Sequence, residues 1–115
     1  MSSQIRVEEQ IGGKIIHLRG QFIGGEETSE LNNTLKELSK AEKSKLIINM
    51  EKVTYLNSTA LGVLISAHTS VSRNGGNIVL AGLGDSLQNL FMITKLVLVF
   101  PIYENLDEAI KSISE

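Results

Sequence analysis

The sequence contains no cysteine. That excludes disulfides, cysteine-ligated zinc and thiol catalysis at once. Histidine is nearly as scarce, and His17 and His68 are too few and too far apart in sequence to suggest a metal site. No metal and no cofactor are expected. Charge of one sign is lacking too, the formal net charge being −2 over 115 residues. Nucleic-acid binding needs a basic face. Here Lys and Arg are interleaved with acids, so no nucleic-acid partner is expected. The opening residues, MSSQIRVEEQ, have none of the apolar core of a secretory signal. The longest apolar stretch, LVLVFPIY, falls far short of the roughly 18 residues that span a bilayer. No membrane partner and a cytoplasmic location are the expectation.

What is present is an ordinary globular mix, 42% apolar and 21% charged, in a length that suits a single domain over residues 1–115 with a small core. IRVEEQIGGKIIHLRG reads as two extended segments joined at Gly12-Gly13, a good hairpin turn because glycine takes positive φ at little cost. His17 falls inside the second segment and reads as a half-buried strand residue. QFIGGEETSELNNTLKELSKAEK opens with a Gly24-Gly25 loop and turns helical. Leu31, Leu35 and Leu38 mark its buried face, and Glu26 and Glu27 suit the positive end of the helix dipole. SKLIINM is a continuous apolar run, the pattern of a strand buried on both faces.

In VTYLNSTALGVLISAHTSVSRNGG, Leu61, Leu64, Ile65 and His68 recur at helical spacing with Val71 one turn on, and Asn74-Gly75 supplies a stop. His68 reads as a packed residue on or beside that stripe. NIVLAGL is another strand. GDSLQNLFMITKL reads as a helix capped by Asp85 or Ser86, with Leu87, Leu90, Phe91 and Thr94 at helical spacing. VLVFPIY reads as a final extended piece, with Pro101 keeping it at an edge or ending it. NLDEAIKSIS closes as a short amphipathic helix with Leu106, Ala109, Ile110 and Ile113 on one side. The order β-β-α-β-α-β-α-β-α predicts an α/β fold: a mostly parallel four- to five-stranded sheet with an N-terminal hairpin and about four helices.

Catalytic patterns are missing. GLGDSL has G-x-G but Leu87 where a dinucleotide fingerprint needs its third glycine. Ser58 lacks the flanking glycines of a hydrolase elbow, Leu56 and Ala60 standing there instead. No carboxylates are paired at a spacing that implies general acid and base. The protein reads as a non-enzyme. Ser58 lies at a strand-to-helix junction, and the local pattern predicts that it caps the helix. The same geometry allows a second use, because free N–H groups and a positive dipole can hold a phosphate on a serine.

Three stretches resemble the STAS domain family, in particular its small stand-alone anti-sigma-factor antagonists. They are LIINMEKVTYLNSTALGVLISAH, GGNIVLAGL and FMITKLVLVFPIYENLDEAIKSI, and the likeness covers nearly the whole chain. The resemblance implies that Ser58 is a phosphoacceptor, modified by a partner that is both anti-sigma factor and serine kinase and restored by a serine phosphatase. It implies a surrounding binding face of Asn57, Thr59, Ala60 and Gly62 with Gly24 and Gly25. Asn57 stands where the family usually has Asp, Ala60 where it has Gly, Asn49 where the buried strand ends in Asp, and Ile23 near a common Asp. Two other readings stay open. One is an interaction scaffold that binds through the same face without phosphorylation, favoured by the changes around Ser58. The other is a small-ligand or anion sensor, prompted by the helix N-termini at 58 and 85.

Overall fold

The computed structural model describes residues 4–114. Its chain order is β1 Ile5–Gln10, β2 Gly13–Phe22, α1 Glu26–Leu38, β3 Lys45–Leu56, α2 Ser58–Arg73, β4 Asn77–Ala81, α3 Asp85–Ile93, β5 Ile102–Tyr103 and α4 Leu106–Ser114. The five strands form one sheet in the order β1-β2-β3-β4-β5. The β1–β2 pair is antiparallel and every other pair is parallel. The expected hairpin forms at Gly12, whose φ of +92° only glycine adopts readily.

Alternation along the strands divides the interior in two. Ile16, Leu18, Leu46, Ile48 and Met50 face a larger core completed by Leu31 and Leu35 of α1, Leu61, Leu64 and Val71 of α2, and Leu87 and Phe91 of α3. Ile15, Ile47, Val79 and Ala81 face a smaller one, covered by Ala109 and Ile113 of α4. Because successive strand residues point to opposite faces, the run LIIN of β3 feeds both cores. The N-cap of α1 is Gly25, with no side-chain capping bond. That omission costs about 1 kcal/mol. Burying Leu31 and Leu35 contributes about 1.5–3 kcal/mol each and outweighs it.

Three local expectations need correction. VLVFPIY is not extended throughout: Leu96–Leu98 form a turn of 3-10 helix after Lys95, which adopts a left-handed φ of 62°. The amides of Val99 and Phe100 both donate to the Leu96 carbonyl at 3.0 Å. This turn puts Leu96 and Phe100 on one side, and both are buried, so packing overrides the β propensity of the valines. Only Ile102 and Tyr103 pair with β4, at the sheet edge expected from Pro101. Neither Asp85 nor Ser86 caps α3, whose N-cap is Gly84 without a side-chain bond. In α2, Ile65 is 39% exposed, while Ala60 and Ala67 join the buried stripe. His68 is half-buried with its ring edge-on to Phe100 at 5.3 Å, as a packed residue should be. No helix among the described residues is long and apolar enough to cross a membrane.

Candidate functional site

Parallel strands of this sheet end along one edge, and helices restart there. β3 finishes at Leu56 and α2 begins at Ser58. Asn57 between them is extended, with φ −92° and ψ −178°, and its Oδ1 accepts the Ala60 amide at 3.0 Å. Asn57 is therefore the N-cap, and the expectation that Ser58 fills that role is corrected. An N-cap residue must leave helical backbone angles. Asn57 does so because its own amide donates to the Phe22 carbonyl at 3.0 Å, the last residue of β2. Ser58 is then the first residue of α2, and its side chain is exposed outside the capping bond. The first intrahelical bond runs from Leu61 N–H to the Asn57 carbonyl. The Ser58 and Thr59 amides precede it and have no acceptor within the helix. No acidic residue occupies the first turn of α2.

The neighbouring wall is the β2–α1 loop. Gly24 has φ +90°, and a Cβ there would lie 3.4 Å from Asn57 Nδ2 and 3.7 Å from Thr59 Cβ. Glu27 holds the loop in place. Its carboxylate accepts the Ile23 amide at 2.7 Å, the Gly25 amide at 3.1 Å and the Thr28 hydroxyl at 2.7 Å. Thr28 Oγ1 in turn accepts the Gly24 amide at 2.9 Å. The Thr28 hydroxyl, followed by the Ile23 amide, lowers the Glu27 pKa from its ordinary 4.5 to about 2. Hydrogen bonds donated to the ionised form favour that form.

Between the two helices runs a groove of about 310 Å³, lined by Thr28, Ser29 and Asn32 of α1 and Thr59, Gly62 and Ser66 of α2. The fold thus brings together Gly24, Asn57, Ser58, Thr59 and Gly62 of the expected face. Gly25 is exposed beside them as the α1 cap. Ala60 does not belong there: it is fully buried, because its position one turn into α2 points at the larger core. The polar side of α1 was not anticipated. Its signal was legible, since Ser29 and Asn32 are spaced i, i+3 on the helix face away from Leu31 and Leu35. Glu27 was expected only to complement the dipole, and its reach back to Ile23 and Gly25 was missed. Hydroxyls, an amide and exposed glycine backbone suit this surface to hydrogen bonding with a partner. Among the described residues no group of three or more His, Asp or Glu converges as a metal site.

A family model described as STAS domain matches residues 3–109. An anti-sigma-B factor antagonist of Listeria monocytogenes is 35% identical over 79 residues, which make up 65% of this chain and 69% of that protein. Among solved structures, an anti-sigma factor antagonist from Mycobacterium paratuberculosis superposes with a TM-score of 0.84 at 21% identity, covering 96% of this chain and 93% of that one. The phosphorylated form of the Bacillus cell fate determinant SpoIIAA superposes with a TM-score of 0.76 at 14% identity, covering 95% and 98%. At such identities the structural likenesses concern the fold.

Proposed function

This chain belongs to the STAS domain family, and we propose that it is an anti-sigma-factor antagonist switched off by phosphorylation of Ser58. The observation that carries the reading is the division of labour at the start of α2. Asn57 makes the cap, so Ser58 is exposed at the first helical position with no structural duty to abandon. The names of the relatives support the antagonist role. The partner is an anti-sigma factor that is also a serine kinase, and it binds across Ser58, Thr59, Gly62 and the Gly24-Gly25 loop. In the switching step the Ser58 oxygen attacks the γ-phosphorus of ATP. An O–P bond forms, the bond to ADP breaks, and the hydroxyl proton passes to a base on the kinase. A serine phosphatase reverses the modification by hydrolysis. The protein itself binds rather than catalyses.

Phosphorylation adds about −1.5 to −2 charges at one point. The Ser58 and Thr59 amides and the α2 dipole can hold that charge without unfolding the helix. The partner instead meets a bulky anion at the centre of its contact. Incubating the protein with an anti-sigma kinase from the same genome and ATP should add one phosphate, located at Ser58 by peptide mass spectrometry. Ser58→Asp should weaken binding of that partner by ~100-fold or more, while Ser58→Ala keeps it. Equal binding by all three proteins, with no phosphate gained, would instead select a constitutive interaction scaffold.

A further inference from the structure

Among the described residues, the sheet face that carries the smaller core is only partly covered, because α4 packs on β3, β4 and β5 and leaves β1 and most of β2 without a helix over them. On this open part, side chains from three adjacent strands stand in two rows. Arg6, His17 and Asn49 are register partners across β1, β2 and β3. The next row holds Gln4, whose carbonyl accepts the Arg19 amide at 3.0 Å, then Arg19 and its register partner Lys52. Together they enclose a pocket of about 170 Å³.

An irregularity in β3 decides the charge of this pocket. His17 pairs with Asn49, so a regular ladder would set Glu51 opposite Arg19. The register shifts by one residue between them, and Arg19 meets Lys52 instead. A bulge of this kind re-aims side chains. Glu51 is carried toward Gly82 at the end of β4, where a Cβ on that glycine would lie 2.3 Å from Glu51 Cγ. An opposite-charge pair is thereby exchanged for two cations on neighbouring strands about 5 Å apart, an arrangement that destabilises a sheet by itself. Lys52 has no ion-pair partner among the described residues. Among the described residues Arg6 makes one ion pair, with Glu8 at 3.7 Å and largely in solvent, a contact worth little.

Asn49 Oδ1 accepts the Glu51 amide at 3.1 Å, which turns Asn49 Nδ2 toward His17 Nδ1 at 2.9 Å. Nδ2 can only donate, so Nδ1 accepts and the ring proton sits on Nε2, donated to Glu8 at 2.7 Å. The ring is held between Asn49 and Glu8 as one wall of the pocket, whose cationic side chains are Arg6, Arg19 and Lys52.

From this juxtaposition we infer that the open face of β1–β3 is a binding site for a small divalent oxyanion of the phosphate type, free or as a monoester. Two guanidinium groups and an ammonium match its charge, and guanidinium forks suit its oxygens. The site lies on the sheet face opposite α1 and α2 and does not depend on Ser58.

The test is a titration with inorganic phosphate at constant ionic strength, chloride being the compensating salt, followed by amide NMR. Saturable shifts are expected at Arg6, His17, Arg19 and Lys52, with Ser58 and Thr59 unmoved. Lys52→Glu should weaken binding by ~10-fold or more, and Ser58→Ala should leave it unchanged. Lys52 is exposed, so the variant folds, and without phosphate its melting temperature should equal or exceed the parent's because the new carboxylate faces Arg19. Phosphoserine in place of phosphate identifies the source. Tighter binding indicates a monoester ligand and equal or weaker binding the free anion, and either upholds the site. Shifts reproduced by chloride alone, shifts centred on Ser58 and Thr59, or undiminished binding by Lys52→Glu would each overturn it.

Discussion

The β2–α1 and β3–α2 junctions lie side by side on one edge of the sheet, solve the same problem and solve it differently. Each must end a parallel strand and satisfy the free amides of a new helix. At α1 the cap is a glycine, and Glu27 reaches back to bind two loop amides and the Thr28 hydroxyl. The positive end of that helix already has Glu26 and Glu27 in its first turn. At α2 a neutral asparagine accepts one amide, and no acid follows in the first turn. One N-terminus is neutralised from within. The other leaves its dipole unopposed beside an exposed serine, which suits it to charge that arrives from outside. Asn57 sharpens the contrast, because an aspartate there would carry a permanent negative charge next to Ser58.

The contrast can be broken in graded steps. Gly24 is where the two junctions touch, and Gly24→Ala forces a side chain into a left-handed conformation at φ +90° beside Asn57. A loss of about 1–2 kcal/mol is expected, read from denaturant unfolding. An unchanged midpoint would mean that the loop relaxes freely. Removing the neutral cap is milder. Asn57→Ala should cost about 1 kcal/mol while Asn57→Asp retains stability, as thermal melts of the two variants side by side would reveal.

The smallest step concerns Glu27, and it is visible mainly in pH dependence. Its folded-state pKa of about 2 lies below the ordinary 4.5. Its contribution is therefore fully present above about pH 4.5 and is lost as the pH falls toward 2. Glu27→Gln should lower stability slightly at pH 7, where the contribution is fully present, and flatten the acid decline within that window, so that the two proteins converge toward pH 2. Parallel curves for the two proteins between pH 5 and 2 would contradict the clamp. Glu27 is half-buried and its carboxylate keeps contact with solvent, so the effect is small.

How much of this was legible in the chain varies with the range of the interactions involved. Leu31 and Leu35, or Ile15 through Leu18, announce their elements by spacings of four and two, which the backbone itself imposes. Ser58 was legible as the centre of a strand-to-helix junction, and the likeness of LIINMEKVTYLNSTALGVLISAH to a known family marked it further. The cap was misassigned by one residue because Asn57 and Ser58 are both good caps. Nothing local chooses between them. The choice falls to a hydrogen bond from Asn57 to Phe22, 35 positions earlier. The family resemblance placed Ala60 on the binding face, whereas a helix turns about 100° per residue and carries it into the core. The run VLVFPIY misled for the opposite reason: its residues favour strands, but burial of Leu96 and Phe100 on one side demands a turn.

The sequence by itself determined the element order, the hairpin at Gly12-Gly13, the double-sided burial of LIIN and the junction that holds Ser58. These follow from periodicity and turn chemistry, which act over a few residues. Only the tertiary structure decided that Asn57 caps α2, that Glu27 braces the adjoining loop, and that Lys52 rather than Glu51 stands beside Arg19. The cap and the placement of Lys52 depend on pairing between segments far apart in sequence, while the Glu27 bonds span no more than four residues and depend on the conformation of the loop they hold. A register shift of one residue leaves no mark on local pattern while reversing the sign of the charge it delivers.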